Sequence, residues 1–239
     1  MKGIQLLLVA WIVLLQLSCA DKAVTSKEPE QILHDCSDPP VVRTGEATYY
    51  TWANGGGNCM FDPTPNDLMV AAMNHVDYAG SGVCGSSVRI TGPSGEVTVR
   101  IVDQCGDCPV GNIDLSPAAF SRIADISLGR VPITWRFVPT AVQGNIIYHF
   151  KDGSNQWWTA VQIRNHRYPI ARVEYRTQQG TFTSVNRTDY NYFVEPGGMG
   201  PGPYTFRVTD IYGHVLVDSN VVHRENQNVA GSGQFPLCN

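Results

Sequence analysis

Charge is sparse in this chain: 16% of its 239 residues are Asp, Glu, Lys or Arg, and the balance at pH 7 is −4. No basic stripe marks a nucleic-acid surface, so nucleic acid is excluded as a partner. Beyond residue 20 no apolar run approaches the ~20 residues of a bilayer span. Helical periodicity is missing after residue 141, and neither an internal repeat nor a low-complexity block occurs. The run Gly55-Gly56-Gly57 is followed by no Lys-Ser/Thr pair, which excludes a phosphate loop. Cys105 and Cys108 form a CxxC pair with no second compact ligand pair for zinc and no thioredoxin-like βαβ setting. No metal and no cofactor is expected.

What is present begins with MKGIQLLLVAWIVLLQLSCA, residues 1–20. One Lys, a short apolar core and small residues at its end make a secretory signal. Cleavage after Ala20 leaves Cys36, Cys59, Cys84, Cys105, Cys108 and Cys238, an even set that suits an exported, disulfide-bonded protein. A lipoprotein exit would instead keep Cys19, but Gln16 stands where an aliphatic residue is usual; the soluble, secreted product is preferred. Six cysteines allow 15 pairings. The assignment adopted is Cys105–Cys108, Cys59–Cys84 and Cys36–Cys238. Residues 21–40 are polar and Pro-tipped, a flexible lead-in. Pro139-Thr140-Ala141 then divides the remainder into 41–139 and 140–239.

Residues 21–139 carry 8 Lys+Arg against 14 Asp+Glu, and residues 140–239 carry 8 against 7. The acidic first part reads simply as solubility. Within it, SSVRI and VTVRIVD flank TGPSGE as a hairpin. Val97, Val99 and Ile101 share a face, and Asp103 is expected to continue it. Ser116 and Pro117 are the N-cap and N1 of a short helix, SPAAFSRIADI, ending near Gly129. VPITWRFVP alternates as a half-buried strand. Beyond the boundary, short strand-like runs separated by Gly, Asn, Asp and Pro suggest an all-β sandwich.

Two constellations carry chemistry. Asp103 and Asp114 flank a short loop pinned by the CxxC pair, read as a structural disulfide. Each carboxylate either caps backbone amides or works with the other on a sugar. Trp157-Trp158 is the second. On a regular strand one ring would enter the core; both are exposed only if Trp157 lies in the turn before the strand. Tyr190 could extend the aromatic surface and Lys151 add a polar edge. Flat rings bury area on a sugar face at low entropy cost.

The runs GEATYY (45–50), DPTPNDLMVAAMN (62–74), CGSSVRI (84–90), VDQC with NIDLSPAAF (102–120), KDGSNQWWTAVQIRNHRYPIARVEY (151–175) and DYNYF (189–193) resemble the microbial expansins. The resemblance extends from about Thr44 to Phe235. It implies an all-β protein: a six-stranded double-psi β-barrel over 41–139, akin to family-45 endoglucanases, then an immunoglobulin-like carbohydrate-binding sandwich over 140–239. It places polar groove residues on Thr48, Asp103 and Asp114, and a cellulose-binding surface on Trp157, Trp158, Tyr190 and Lys151. Many bacterial members have a Tyr two residues after the first Asp; here that position is Cys105, nearer the plant-like pattern.

The function implied is wall loosening by a monomer that grips cellulose and matrix glucans without cutting them. Inverting hydrolysis needs a separate base for water. Asp114 could serve as the acid, but Glu46 is the only nearby substitute for the base. Two rival readings remain: a weak endo-β-glucanase using Asp114 with Glu46 or Asp103, and a peptidoglycan-binding protein. Asn186-Arg187-Thr188 is a formal glycosylation sequon, read as unused because a glycan would crowd Tyr190.

Overall fold

The computed structural model describes Cys36 and residues 41–238. The expected signal segment, Cys19 and the rest of the lead-in lie outside the described residues. Among the described residues no helix is long and apolar enough to cross a membrane.

Six strands close into a barrel. They are β1 (Arg43–Tyr49), β2 (Val70–Asn74), β3 (Ser87–Gly92), β4 (Gly95–Cys105), β5 (Ile113–Leu115) and β6 (Val131–Val138), in ring order β1-β5-β2-β4-β3-β6. The β1–β5 and β2–β4 pairs are parallel and the other four antiparallel, the ring of a double-psi barrel. Alternation drives the closure: Ala47, Met73, Val88, Val99, Ile101, Ile113 and Trp135 fill the interior. The β3–β4 hairpin forms as the sequence predicts, Gly92 pairing with Gly95.

The helix after Ser116 is shorter than expected. Ser116 caps it, its Oγ accepting from Ala119 N at 3.0 Å, but α2 covers only the four residues Pro117–Phe120, no longer than α1 (His75–Tyr78). Beyond Phe120 the bonding tightens to i→i+3 at Arg122 and Ile123, and the Ile123 carbonyl accepts from Ser94 on the hairpin turn. Asp125 then caps a separate 3₁₀ turn, Ile126–Leu128. Burying Ile123 against the hairpin outweighs continuing the helix.

Nine further strands make two antiparallel sheets. β9 (Ile170–Arg176), β10 (Phe182–Ser184), β13 (Tyr204–Asp210) and β14 (Val215–Val221) form one, ordered β10-β9-β13-β14. β7 (Ile147–Phe150), β8 (Thr159–Arg164), β11 (Asn186–Arg187), β12 (Phe193–Glu195) and β15 (Asn228–Ala230) form the other, ordered β11-β12-β8-β7-β15. Both contribute to one core, in which Tyr148 stacks on Phe206 at 5.0 Å.

Barrel and sheets belong to one compact unit. The Cys59 carbonyl accepts from Gln162 Nε2 at 2.9 Å and from Asn191 Nδ2 at 3.1 Å, Tyr78 Oη donates to the Asp189 carbonyl at 3.0 Å, and Arg164 pairs with Asp62 at 2.7 Å. The disulfides are Cys59–Cys84, Cys105–Cys108 and Cys36–Cys238, as assigned from the sequence.

Candidate functional site

Directly paired residues on adjacent strands present their side chains to one face. Thr48 of β1 pairs with Asp114 of β5, Asp114 with Ala72 of β2, and Ala72 with Asp103 of β4. One row thus crosses four strands. It lies outside the barrel, because the alternate residues Ala47, Ile113, Ala71 and Ile101 lie within. Here one expectation is corrected. Asp103 does not continue the face of Val97, Val99 and Ile101. A register shift at Ala71/Ala72 leaves buried Val102 as an extra residue in β4 and turns the next side chain outward.

The row is polar and internally bonded. Thr48 Oγ1 donates to Asp114 Oδ1 at 2.5 Å. Asp103 Oδ1 accepts the backbone N–H of Asn58 at 2.7 Å and of Gln104 at 2.8 Å. Burial raises the pKa of Asp114 above the usual carboxylate value, and the charge of Asp103 adds to that; the Thr48 bond and Arg130 oppose it. The hydroxyl of Tyr50, two residues beyond Thr48, is buried without a hydrogen-bond partner among the described residues. Burial chiefly, then the charges of Asp103 and Asp114, push its pKa well up. The next turn carries Trp52, 89% exposed. The loop then folds back so that Gly57 lies against Asp103; a Cβ there would stand 2.4 Å from Asp103 Cγ. Gly57 thus lets the loop approach the protein's own Asp103 carboxylate.

Trp157 lies in the turn before β8, 74% exposed, and Trp158 is half-buried. Asn155 Oδ1 holds the turn by accepting from Trp157 N at 2.8 Å and Trp158 N at 3.2 Å. Gly198 backs it from below: its Cβ would fall 2.0 Å from the Gln156 carbonyl oxygen. Neither indole is in the core. Tyr190 is half-buried, 6.1 Å from the Tyr192 ring, and Lys151 reaches over Tyr192 at 5.9 Å. Asn58 joins the two regions: its N–H holds Asp103, and its side chain donates at 2.9 Å to the carbonyl of Asp189, the neighbour of Tyr190.

A family model described as "Lytic transglycolase" matches residues 43–135, the barrel. Expansin-YoaJ of Bacillus subtilis (strain 168) is 38% identical over 201 residues, covering 80% of this chain and 86% of that protein. The chain belongs to the expansin family. Expansin-like protein 1 of Dictyostelium discoideum is 32% identical, covering 82% of this chain and 73% of its own. Two crystal structures of Clavibacter michiganensis expansin, one without ligand and one of a mutant in complex with cellohexaose, match with TM-scores of 0.77. Their identities are 33% and 32%, and each covers 82% of this chain and 98% of the other.

Seen as an expansin, the chain uses Cys105 for the short disulfide to Cys108 where many bacterial relatives were expected to carry Tyr. Tyr50 lies close enough to feel the charges of both carboxylates, and Trp52 is exposed in the turn that follows. Sequence reasoning named neither as a candidate site residue. The signal for Tyr50 was its i+2 spacing from Thr48; for Trp52, it was an indole entering a glycine-rich turn. Glu46 shares the outward face of Thr48, but Arg130 binds its carboxylate at 2.7 Å.

Proposed function

We propose that this expansin is a secreted, monomeric wall-loosening protein that binds cellulose and matrix glucans and separates their non-covalent contacts without hydrolysis. In this reading 41–139 is the glucan-gripping domain and 140–239 an immunoglobulin-like carbohydrate-binding domain. The groove residues are Thr48, Tyr50, Asp103 and Asp114. The cellulose-facing residues are Trp157, Trp158 and Tyr190, with Lys151 as a flanking polar group. The supporting observation is the continuity of the two regions: Asn58 bonds Asp103 on one side and the backbone beside Tyr190 on the other. Two weak grips in one body raise avidity without new chemistry. A relative of the same family crystallised with cellohexaose is in keeping with a glucan ligand.

Non-hydrolytic action is supported by the state of the alternative bases. Glu46 is held by Arg130. Asp103 stands two strands from Asp114, about 10 Å between backbones, with one oxygen already engaged by two amides.

Wall strips under constant load, assayed in parallel for reducing-end release, test the proposal. Creep without sugar release is expected, lost in Asp114→Ala and in the Trp157→Ala/Trp158→Ala double variant, with the latter alone failing to sediment with cellulose. Sugar release abolished by Asp114→Asn would establish an endoglucanase. Retention on peptidoglycan but not on cellulose would establish the other rival.

A further inference from the structure

β3 and β6 stand across the ring from β5 and β2, away from the carboxylate row. The outer face there opens into a cavity of about 970 Å³ that reaches the first residues beyond the barrel and the end of β8. Four arginines line it: Arg89, Arg100, Arg136 and Arg164. Arg89 and Arg136 are direct cross-strand partners, so their Cβ atoms stand about 5 Å apart. Arg100 is diagonal to Arg89, because Arg89 pairs with Thr98 and Ser87 with Arg100.

Arg164 is paired with Asp62, and Asp67 lies near enough to favour the charge on Arg100; the other two arginines lack a counter-charge among the described residues. Among the described residues Arg89 and Arg136 have neither ion pair nor hydrogen bond. Arg100 has one long bond, Nη2 to Thr64 Oγ1 at 3.4 Å, and its buried Nε has no partner. Two aspartates also line the cavity. Asp62 is bound to Arg164 at 2.7 Å, and Asp67 accepts from Met69 N at 3.2 Å. Like charges placed directly opposite destabilise a sheet, and among the described residues no carboxylate pairs with Arg89 or Arg136 to offset that cost.

We propose that this cleft is a second polysaccharide site, one that takes a carboxylate-bearing sugar chain, a polyuronate. The planar guanidinium fork binds carboxylate bidentately, and Arg89 with Arg136 can clamp one carboxylate while Arg100 meets the next. The remaining lining explains why the ligand is a sugar rather than a bare anion. Phe61, its ring under the Arg100 guanidinium at 5.3 Å, gives the cleft an apolar wall for a sugar ring. The inference stands apart from the groove reading, since it shares no residue with it.

The test is calorimetric titration of the whole secreted chain with hexagalacturonate, cellohexaose and inorganic phosphate. Hexagalacturonate should bind and should weaken as ionic strength rises from about 0.01 to about 0.15 M, where the screening length falls from about 30 to about 8 Å. Arg89→Gln/Arg136→Gln should lose about tenfold or more in uronate affinity while binding cellohexaose unchanged. Trp157→Ala should do the reverse. Unchanged uronate affinity in the arginine variant, or its loss in Trp157→Ala, overturns the site. Displacement by equimolar phosphate overturns the sugar assignment and leaves a simple anion site. If the double variant loses cellohexaose as well, NMR of the wild type decides: the Nε resonances of Arg89 and Arg136 should move on uronate addition, and fixed resonances refute the proposal. Uronate binding without cellohexaose binding would sink the groove reading and leave this one standing.

Discussion

Asp114 carries a free-energy cost at neutral pH. Its folded pKa lies above the unfolded value because burial disfavours the charge. A raised pKa contributes stability that is full below the unfolded value, about 3.9, and is lost as pH rises through the folded value. Asp114→Asn keeps an acceptor for Thr48 and removes the charge. It should therefore melt higher than wild type at pH 7 in calorimetry, with the gap closing near pH 3, even as wall loosening is lost. Tyr50 makes a similar case without charge. Its buried hydroxyl lacks a partner among the described residues, so Tyr50→Phe should be neutral or stabilising by up to about 1 kcal/mol in urea denaturation. Weaker glucan binding in the same variant would show that the hydroxyl serves the ligand.

The loop from Trp52 to Asn58 and strand β4 set the groove as elements. Gly57 rests on Asp103, so Gly57→Ala must push either the loop or the carboxylate aside. The expected outcome is loss of creep activity with cellulose sedimentation retained, because Trp157 and Trp158 are untouched. What was legible in the sequence follows from this level. Alternation of Ile133, Trp135 and the β4 valines announced the strands, and the Ser-Pro pair announced α2, since both signals are local. The outward turn of Asp103 was not legible. It depends on an extra residue in β4 that only the pairing with β2 reveals. The length of α2 was unreadable for a similar reason, the competing burial of Ile123 against a hairpin some 30 residues earlier in the chain. That neither indole enters the core turned on Asn155 and Gly198, one from each side of the turn. The arginine cluster escaped because charge was counted along the chain, where the barrel half reads as acidic, rather than across β6, β3 and β4.

For the whole molecule, the widest covalent tie is Cys36–Cys238, with a sequence separation of 202. Closing so long a loop restricts the unfolded chain, and its removal typically costs about 2–5 kcal/mol. Cys238→Ser should lower the denaturation midpoint accordingly while leaving the sedimentation with cellulose intact, since Trp157 and Trp158 are held by local bonds. Compactness also bears on how force would pass through the protein. One peptide oxygen, that of Cys59, takes hydrogen bonds from Gln162 and from Asn191, and the same residue is stapled to Cys84. That residue therefore fastens the barrel to β8 and to the loop before β12 at one point. If the groove and the aromatic surface hold two polymers as proposed, a pull on one would reach the other through this junction.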